Sequence, residues 1–200
     1  MVGKPLSVRA PRQLRDDVVM LLPVTNFILF QIGWFACVLG SAYSYPLLGT
    51  LTAILVVTFH VLRSKYPGQE VMLIMLAIAI GGSWDSFLVW MQWIDYNNGM
   101  WSESMAPHWI VALWALFATT LNVSLRWMKG RWLIAILSGA LAGPLAYYAG
   151  YRLGAVIFPD MNTALLALGM GWAVFMPLLL LLSQRLDGYS HLSEPQKVTL

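Results

Sequence analysis

The stretch VMLIMLAIAIGGSWDSFLVWMQW, residues 71–93, decides the fold class of this protein. It is apolar over about the 20 residues that a helix needs to cross a bilayer. Its single ionisable side chain, Asp85, lies past the middle of the stretch. A carboxylate at membrane depth costs about 2.5–3.5 kcal/mol on insertion scales, so we expect a partner or a wet cavity beside Asp85.

The composition of the whole chain agrees with a membrane protein. Hydrophobic residues make up 59% of its 200 residues and charged residues only 10%, whereas soluble domains carry about 25% charged residues. The basic residues flank apolar runs, which indicates membrane topology and predicts no nucleic-acid partner. Cys37 is the only cysteine, so an intrachain disulfide is excluded.

Six apolar runs predict an all-α, polytopic membrane bundle of six transmembrane helices. The runs cover residues 18–43, 45–62, 71–93, 108–127, 132–158 and 162–182. The predicted organisation is a polar N-terminal segment (1–17), a six-helix transmembrane domain (18–182) and a polar tail (183–200). The first run is too long for the 7–15-residue apolar core of a signal peptide, so we interpret it as an uncleaved span.

The distribution of basic residues predicts the orientation of this bundle. The N-terminal segment holds four Lys and Arg residues, the two turns after the second and fourth runs hold two and three, and the tail holds two. Only Arg152, of the 12 basic residues, belongs to the opposite side. The positive-inside rule therefore predicts that both termini are cytoplasmic.

Small residues in the fifth run predict a tight helix contact. Gly139, Gly143, Gly150 and Gly154 form two G-x-x-x-G pairs, a pattern that lets a second helix approach closely. Tyr148 and Arg152 lie on the opposite helical face and predict a polar contact there.

With this orientation, the polar residues fall into two layers. Asp85, His108 and Arg152 form a charged layer in the outer half of the membrane, and we predict that Asp85 pairs with Arg152, or else with Gln31 or His108. Gln31 lies near the middle, and the neutral layer in the inner half holds Asn26, His60 and Asn122. The charged layer is the candidate catalytic set. The candidate lipid or substrate contacts are Asn26, Gln31, Trp34, Trp84, Asn122 and Tyr148.

Each of these candidates has a purely structural alternative. A buried Asp85–Arg152 pair stabilises a bundle whether or not it performs chemistry. Asn26 and Asn122 are more typical of hydrogen bonds between helices than of ligand contacts. No group of residues has the spacing of metal ligands, and no nucleotide, hydrolase or redox motif is present, so we predict no metal and no cofactor.

Three stretches resemble a known family. They are NFILFQIGWF (26–35), LWALFATTLN (113–122) and GPLAYYAG with RLG (143–154). They resemble the domain of unknown function family 2878, small bacterial inner-membrane proteins without an established activity. The genes of that family are associated with enzymes resembling cyclopropane-fatty-acid synthases, which implies a place near membrane-lipid modification.

Two functions from different classes follow as expectations. The first is a lipid-facing enzyme or accessory subunit in fatty-acyl modification, with Asp85 as acid or base and Arg152 binding an anionic group. The second is a non-enzymatic scaffold or small carrier. Membrane lipids are the expected partners in the first case, and soluble lipid-modifying enzymes in the second; the sequence predicts no oligomeric state.

Overall fold

The structure, a computed structural model, describes residues 12–192, with the side chains of 21–190 and 192. Of the predicted polar N-terminal segment (1–17), residues 1–11 lie outside the described residues, as do residues 193–200 of the predicted tail (183–200). The helices are α1 (Arg12–Ala42), α2 (Pro46–Arg63), α3 (Pro67–Trp90), α4 (His108–Leu121), α5 (Trp132–Arg152) and α6 (Met161–Arg185). Two short 3₁₀ turns cover Arg126–Met128 and Ser190–Leu192.

A two-stranded ribbon joins the loops at one end of the bundle. Strand β1 (Asp95–Tyr96) pairs antiparallel with β2 (Val156–Ile157), and Tyr96 is opposite Val156. We call this end, where α1, α3 and α5 finish, the strand end. The opposite end, where α2, α4 and α6 finish, is the tail end; there the backbone N–H of Lys65 donates to the carbonyl of Gly188. The six helices therefore alternate in direction.

Five of the helices are long and apolar enough to cross a membrane: all but α4. Their outward surfaces carry exposed apolar side chains, including Leu55 (71% exposed) and Leu62 (79%). A soluble protein does not expose so large an apolar surface. The fold is thus all-α, and its long helices indicate a multi-pass membrane protein.

The short helix α4 lies at the centre. It has 14 residues, about 21 Å of helix, and nine of them are buried. It packs against α1, α2, α3 and α6. Because its ends meet folded protein and not lipid, its backbone is satisfied without a full-length span.

The helix boundaries differ from the boundaries of the apolar runs at three places. Helix α3 begins at Pro67, because proline is favoured in the first helical turn, so Glu70 lies inside the helix. Helix α4 ends at Leu121, and the rest of the fourth run forms a turn that leads to α5. Helix α6 continues to Arg185, and the chain after it folds back: Tyr189 is buried at the tail end.

Candidate functional site

Asp85 is the centre of a buried hydrogen-bond cluster near the strand end. The side chain is fully buried. Its Oδ1 accepts from the hydroxyls of Tyr96 (2.9 Å) and Tyr147 (2.7 Å), and its Oδ2 accepts from the indole N–H of Trp114 (2.6 Å). We call these four residues the Asp85 cluster. They come from α3, β1, α4 and α5, so the carboxylate ties four elements together.

A glycine makes room for the indole in this cluster. Gly81 lies one helical turn before Asp85 on α3, and residues four apart share a helical face. The Trp114 ring occupies the space that a Cβ atom would need at Gly81. On its other side the ring stacks on Trp172 of α6, with centroids 4.7 Å apart and planes 12° apart. The close packing fixes the indole N–H towards the carboxylate.

The donors around Asp85 are all neutral. Burial, followed by the negative charge of Asp85, raises the pKa of Tyr96 well above its ordinary value, so the phenol stays protonated and donates. Among the residues whose side chains are described, no cation lies within ion-pair distance of Asp85. A carboxylate offers about four acceptor positions, and neutral donors fill three of them.

The prediction that Asp85 and Arg152 form an ion pair is therefore wrong. Arg152 is the last residue of α5 and is exposed; its Nη1 donates to the Tyr148 hydroxyl over 3.4 Å. The helix ends at this point, so the guanidinium reaches the polar surface and is not held beside the carboxylate. The alternatives, Gln31 and His108, do not bind Asp85 either: Nδ1 of His108 lies 2.7 Å from the Thr50 hydroxyl.

An apolar cavity of about 650 Å³ lies next to the Asp85 cluster. Three helices, α1, α4 and α5, provide most of its wall. The rest comes from Trp172 and Met176 of α6, from Val156 of β2, and from Leu125, Trp127 and Met128 between α4 and α5. It follows α5 from Ser138 to Gly150, about 18 Å of helix. Trp114 and Tyr147 belong both to the cavity wall and to the Asp85 cluster. The carboxylate thus lies one side chain behind the wall.

Helices α1 and α5 both line the cavity but do not pack closely against each other, so we infer that the cavity opens sideways between them. Wall residues at this opening are partly or fully exposed, among them Trp34 and Leu145. The wall at the strand end is closed by buried Trp109, Val38 and Val156. The opening therefore faces the surface that the apolar helices present to lipid.

A second buried cluster lies at the tail end, around Glu70. Glu70 is fully buried; its Oε2 lies 2.7 Å from Nε2 of His60, and its Oε1 accepts from the Asn122 amide (2.6 Å) and the Gly188 N–H (2.9 Å). Lys129 donates to the Asn122 Oδ1 (2.6 Å) and to Asp187 (3.1 Å). Residues His60, Glu70, Asn122, Arg126, Lys129, Asp187 and Gly188 form what we call the Glu70 cluster.

Charges inside the Glu70 cluster compensate one another. Arg126 and Lys129 both pair with Asp187, over 2.6 and 3.1 Å. Burial lowers the pKa of Lys129, and the adjacent carboxylate of Asp187 opposes that shift. Burial and then the charge of Glu70 raise the pKa of Tyr189 to about 12, which keeps its hydroxyl protonated as a donor to the His60 carbonyl (2.6 Å). The expectation of a neutral inner layer is wrong, since this layer holds four charged side chains besides His60.

The predicted contact residues separate into two groups. Gln31 and Trp34 line the cavity. The others are elsewhere: Asn26 donates to the Thr119 carbonyl, Asn122 belongs to the Glu70 cluster, Trp84 packs on Phe175 of α6, and Tyr148 accepts from Arg152. Asn26 and Asn122 thus make the interhelical hydrogen bonds of their structural alternative.

A close helix contact was predicted for four glycines of the fifth run, and it is confirmed for two of them. Gly139 and Gly143 face Trp172 of α6 without room for a Cβ atom, so close packing of α5 on α6 requires them. Gly150 faces Val156 of β2, and Gly154 has a positive φ of 88° and ends the helix.

Sequence reasoning missed Tyr96, Trp114, Tyr147 and Glu70. It selected Tyr148 although its neighbour Tyr147 faces inward, because periodicity gives relative faces and not the direction of the core. One local signal existed: Gly81 precedes Asp85 by one turn, and a glycine beside a buried acid leaves space for a large donor ring. Glu70 was hidden because a charged residue beside Pro67 is typical of a turn.

Comparison with known protein families identifies the family of this chain. A family model described as "Protein of unknown function (DUF2878)" matches residues 23–178. The chain belongs to this family. The resemblance seen in the three sequence stretches is thereby confirmed. Within the DUF2878 match lie the Asp85 cluster and every residue of the cavity wall, whereas Asp187 and Gly188 lie beyond it. No curated protein and no solved structure matches the chain.

Proposed function

We propose that this protein binds an apolar chain of a membrane lipid in the cavity between α1 and α5. The observation that carries the proposal is a cavity of about 650 Å³ that opens on the lipid-facing surface. Ligand pockets have volumes of about 300–1,000 Å³ and walls that are mostly apolar and aromatic. A cavity that opens sideways receives its ligand from the bilayer and not from water.

The wall offers contacts for a long chain. Phe30 and Trp34 lie on α1, Phe117 lies on α4, and Gly139 and Ala146 lie on α5. Aromatic rings supply large apolar contact areas, and the small residues on α5 keep the space between them open. The Gln31 amide makes no hydrogen bond among the described residues, and it is available to a polar atom of the ligand.

We assign the protein the role of a lipid-binding accessory subunit in fatty-acyl modification. The sealed position of Asp85 supports binding over catalysis, because a general acid or base must reach the proton that it transfers. Asp85 is fully buried, and its carboxylate accepts three hydrogen bonds from protein donors. A scaffold without a ligand is the alternative that the labelling experiment below distinguishes.

The proposed location is the inner membrane of a bacterium, with six spans and both termini in the cytoplasm. The distribution of Lys and Arg and the alternating helices support this topology. Reporter fusions after Tyr43, Asn98 and Asp160 should all report the outside of the membrane. A cytoplasmic signal at any one of them would contradict the six-span topology.

Photo-labelling tests the lipid site directly. Cells that express the protein are fed a fatty acid with a photoreactive group in its chain, irradiated, and the labelled peptides are mapped by mass spectrometry. We expect labels to concentrate on the cavity residues of α1 and α5. Ala146→Phe, which fills the cavity, should lower this labelling several-fold.

Leu141→Phe is the matched control, since it adds a ring to the same helix at an exposed position outside the cavity wall. It should leave the labelling pattern unchanged. Equal labelling of all lipid-facing helices, unaffected by Ala146→Phe, would contradict the lipid site and favour the scaffold.

A further inference from the structure

Among the residues whose side chains are described, no cation lies beside Asp85 to compensate its negative charge. The groups that face it from α4, α5 and β1 are an indole and two phenols. The carboxylates at the tail end differ: the fully buried Glu70 lies 2.7 Å from a ring nitrogen of His60, and the partly buried Asp187 pairs with both Arg126 and Lys129. Buried charges in proteins are ordinarily paired, so the cluster is electrostatically incomplete.

Two of the three donors connect this charge to the cavity. Trp114 and Tyr147 bond to the carboxylate and also form part of the cavity wall. A ligand group at this level is therefore separated from Asp85 by one side chain. Trp114 and Tyr147 are both buried, so solvent screens the charge of Asp85 only weakly at this place.

We propose that the cavity selects an amphiphile whose head carries a positive charge, an ammonium or quaternary ammonium group, placed beside Tyr147 near Asp85. This inference rests on the proposed lipid site and adds the chemical class of its ligand. The chain of the amphiphile then extends along α5 towards Met128 at the tail end.

Two physical effects favour the positive head. Opposite charges about 10 Å apart, at an effective dielectric constant of about 20, attract enough to change affinity about tenfold. The ring of Tyr147, which lines the cavity, provides a π surface of the kind that binds quaternary ammonium ions. An anionic head at the same place meets repulsion from Asp85.

Competition between three probes of equal chain length tests the selection. The full chain is placed in nanodiscs of digalactosyldiacylglycerol, a lipid without an ammonium group, and labelled with the photoreactive fatty acid. Dodecyltrimethylammonium, dodecanol and dodecyl phosphate then compete for the cavity peptides of α1 and α5. Labelling of a lipid-facing α2 peptide corrects for the amount of each probe in the bilayer.

We expect the cationic probe to halve the labelling at about one-tenth of the dodecanol concentration, and the phosphate to be the weakest competitor. Asp85→Asn should make the cationic probe and dodecanol equal. Asp95→Asn removes a negative charge from the same end of the bundle, but at an exposed position, and should leave the order unchanged.

Equal potency of the three probes on the wild-type protein would overturn the proposal. This measurement does not depend on whether any variant folds. A preference that survives Asp85→Asn or disappears in Asp95→Asn would overturn it as well. Failure of the lipid site itself has a different signature: no probe would compete, and Ala146→Phe would not change the labelling.

Discussion

The two ends of the bundle each bury a carboxylate, but they compensate it differently. At the tail end, Glu70 belongs to a network with His60, and Asp187 in the same network pairs with Arg126 and Lys129. At the strand end, Asp85 receives only neutral hydrogen bonds. The tail end is closed by its own chain, whereas the strand-end cluster borders a cavity. Completed charge pairing thus marks a structural element, and incomplete pairing marks the candidate site.

Chain connectivity explains much of this difference. The segment after α6 turns back at the tail end and brings the Gly188 N–H and Asp187 to the network. The strand end has only the short ribbon of β1 and β2, which contributes Tyr96 and no cation to Asp85. The cations of this network, Arg126 and Lys129, lie on the connection between α4 and α5 at the tail end, so nearness to this connection decides whether a carboxylate acquires a cation.

The largest expected effect is on the tail end. Glu70→Ala removes the acceptor of Asn122 and Gly188 and the partner of His60. We expect it to lower the free energy of unfolding by about 3–5 kcal/mol, as for a buried pair that loses one member. Reversible unfolding in mixed micelles measures this quantity. Gln69→Ala, at the exposed neighbouring position, should have little effect, and a loss as large there would refute the network.

The next effect tests packing at the strand end. Gly81→Ala places a methyl group in the volume of the Trp114 ring, and overpacking of this kind costs about 1–3 kcal/mol. Gly82→Ala is the matched control, because its Cβ would meet only Val111 at an ordinary 3.8 Å. Thermal unfolding in detergent should separate the two variants. Equal melting temperatures would show that the Trp114 position is not fixed by Gly81.

Double-mutant cycles compare ionic coupling at the two ends. Lys129→Met with Asp187→Asn should show a coupling free energy of about 0.5–3 kcal/mol, the range for residues in one network. Both side chains are mostly buried, at 13% and 14% exposure, so solvent screens the pair only in part. An additive result would mean that the charges of Lys129 and Asp187 do not stabilise each other.

The smallest effect concerns Asp85 and Arg152. Since Arg152 is exposed and bonded to Tyr148, the changes Asp85→Asn and Arg152→Gln should be additive in unfolding experiments. Asp85→Asn by itself should destabilise through the hydrogen bonds that it disturbs. If the double mutant instead recovered the stability lost in Asp85→Asn, the ion pair predicted from the sequence would be supported.

The membrane class and the six helices were predictable because they depend on local properties. Apolar run length and Lys and Arg placement are read directly from neighbouring residues, and five of the six runs are helices long enough to span. Helix α4 departed from this rule because surrounding protein replaces lipid around it. The glycine contact at Gly139 and Gly143 was also predictable, since residues four apart share a face whatever the partner helix is.

That Asp85 needs partners follows from the amino-acid sequence, because a carboxylate inside an apolar helix has few ways to be stabilised. The identity of these partners, Tyr96, Trp114 and Tyr147, depends on the folded bundle, since they lie 11, 29 and 62 residues away along the chain. Depth along a helix constrains which residues can meet, but the rotation of each helix and the choice of neighbours come from packing of the whole bundle. For the same reason Arg152, at a plausible depth, faces the surface, and the cavity between α1 and α5 exists only where two helices fail to meet.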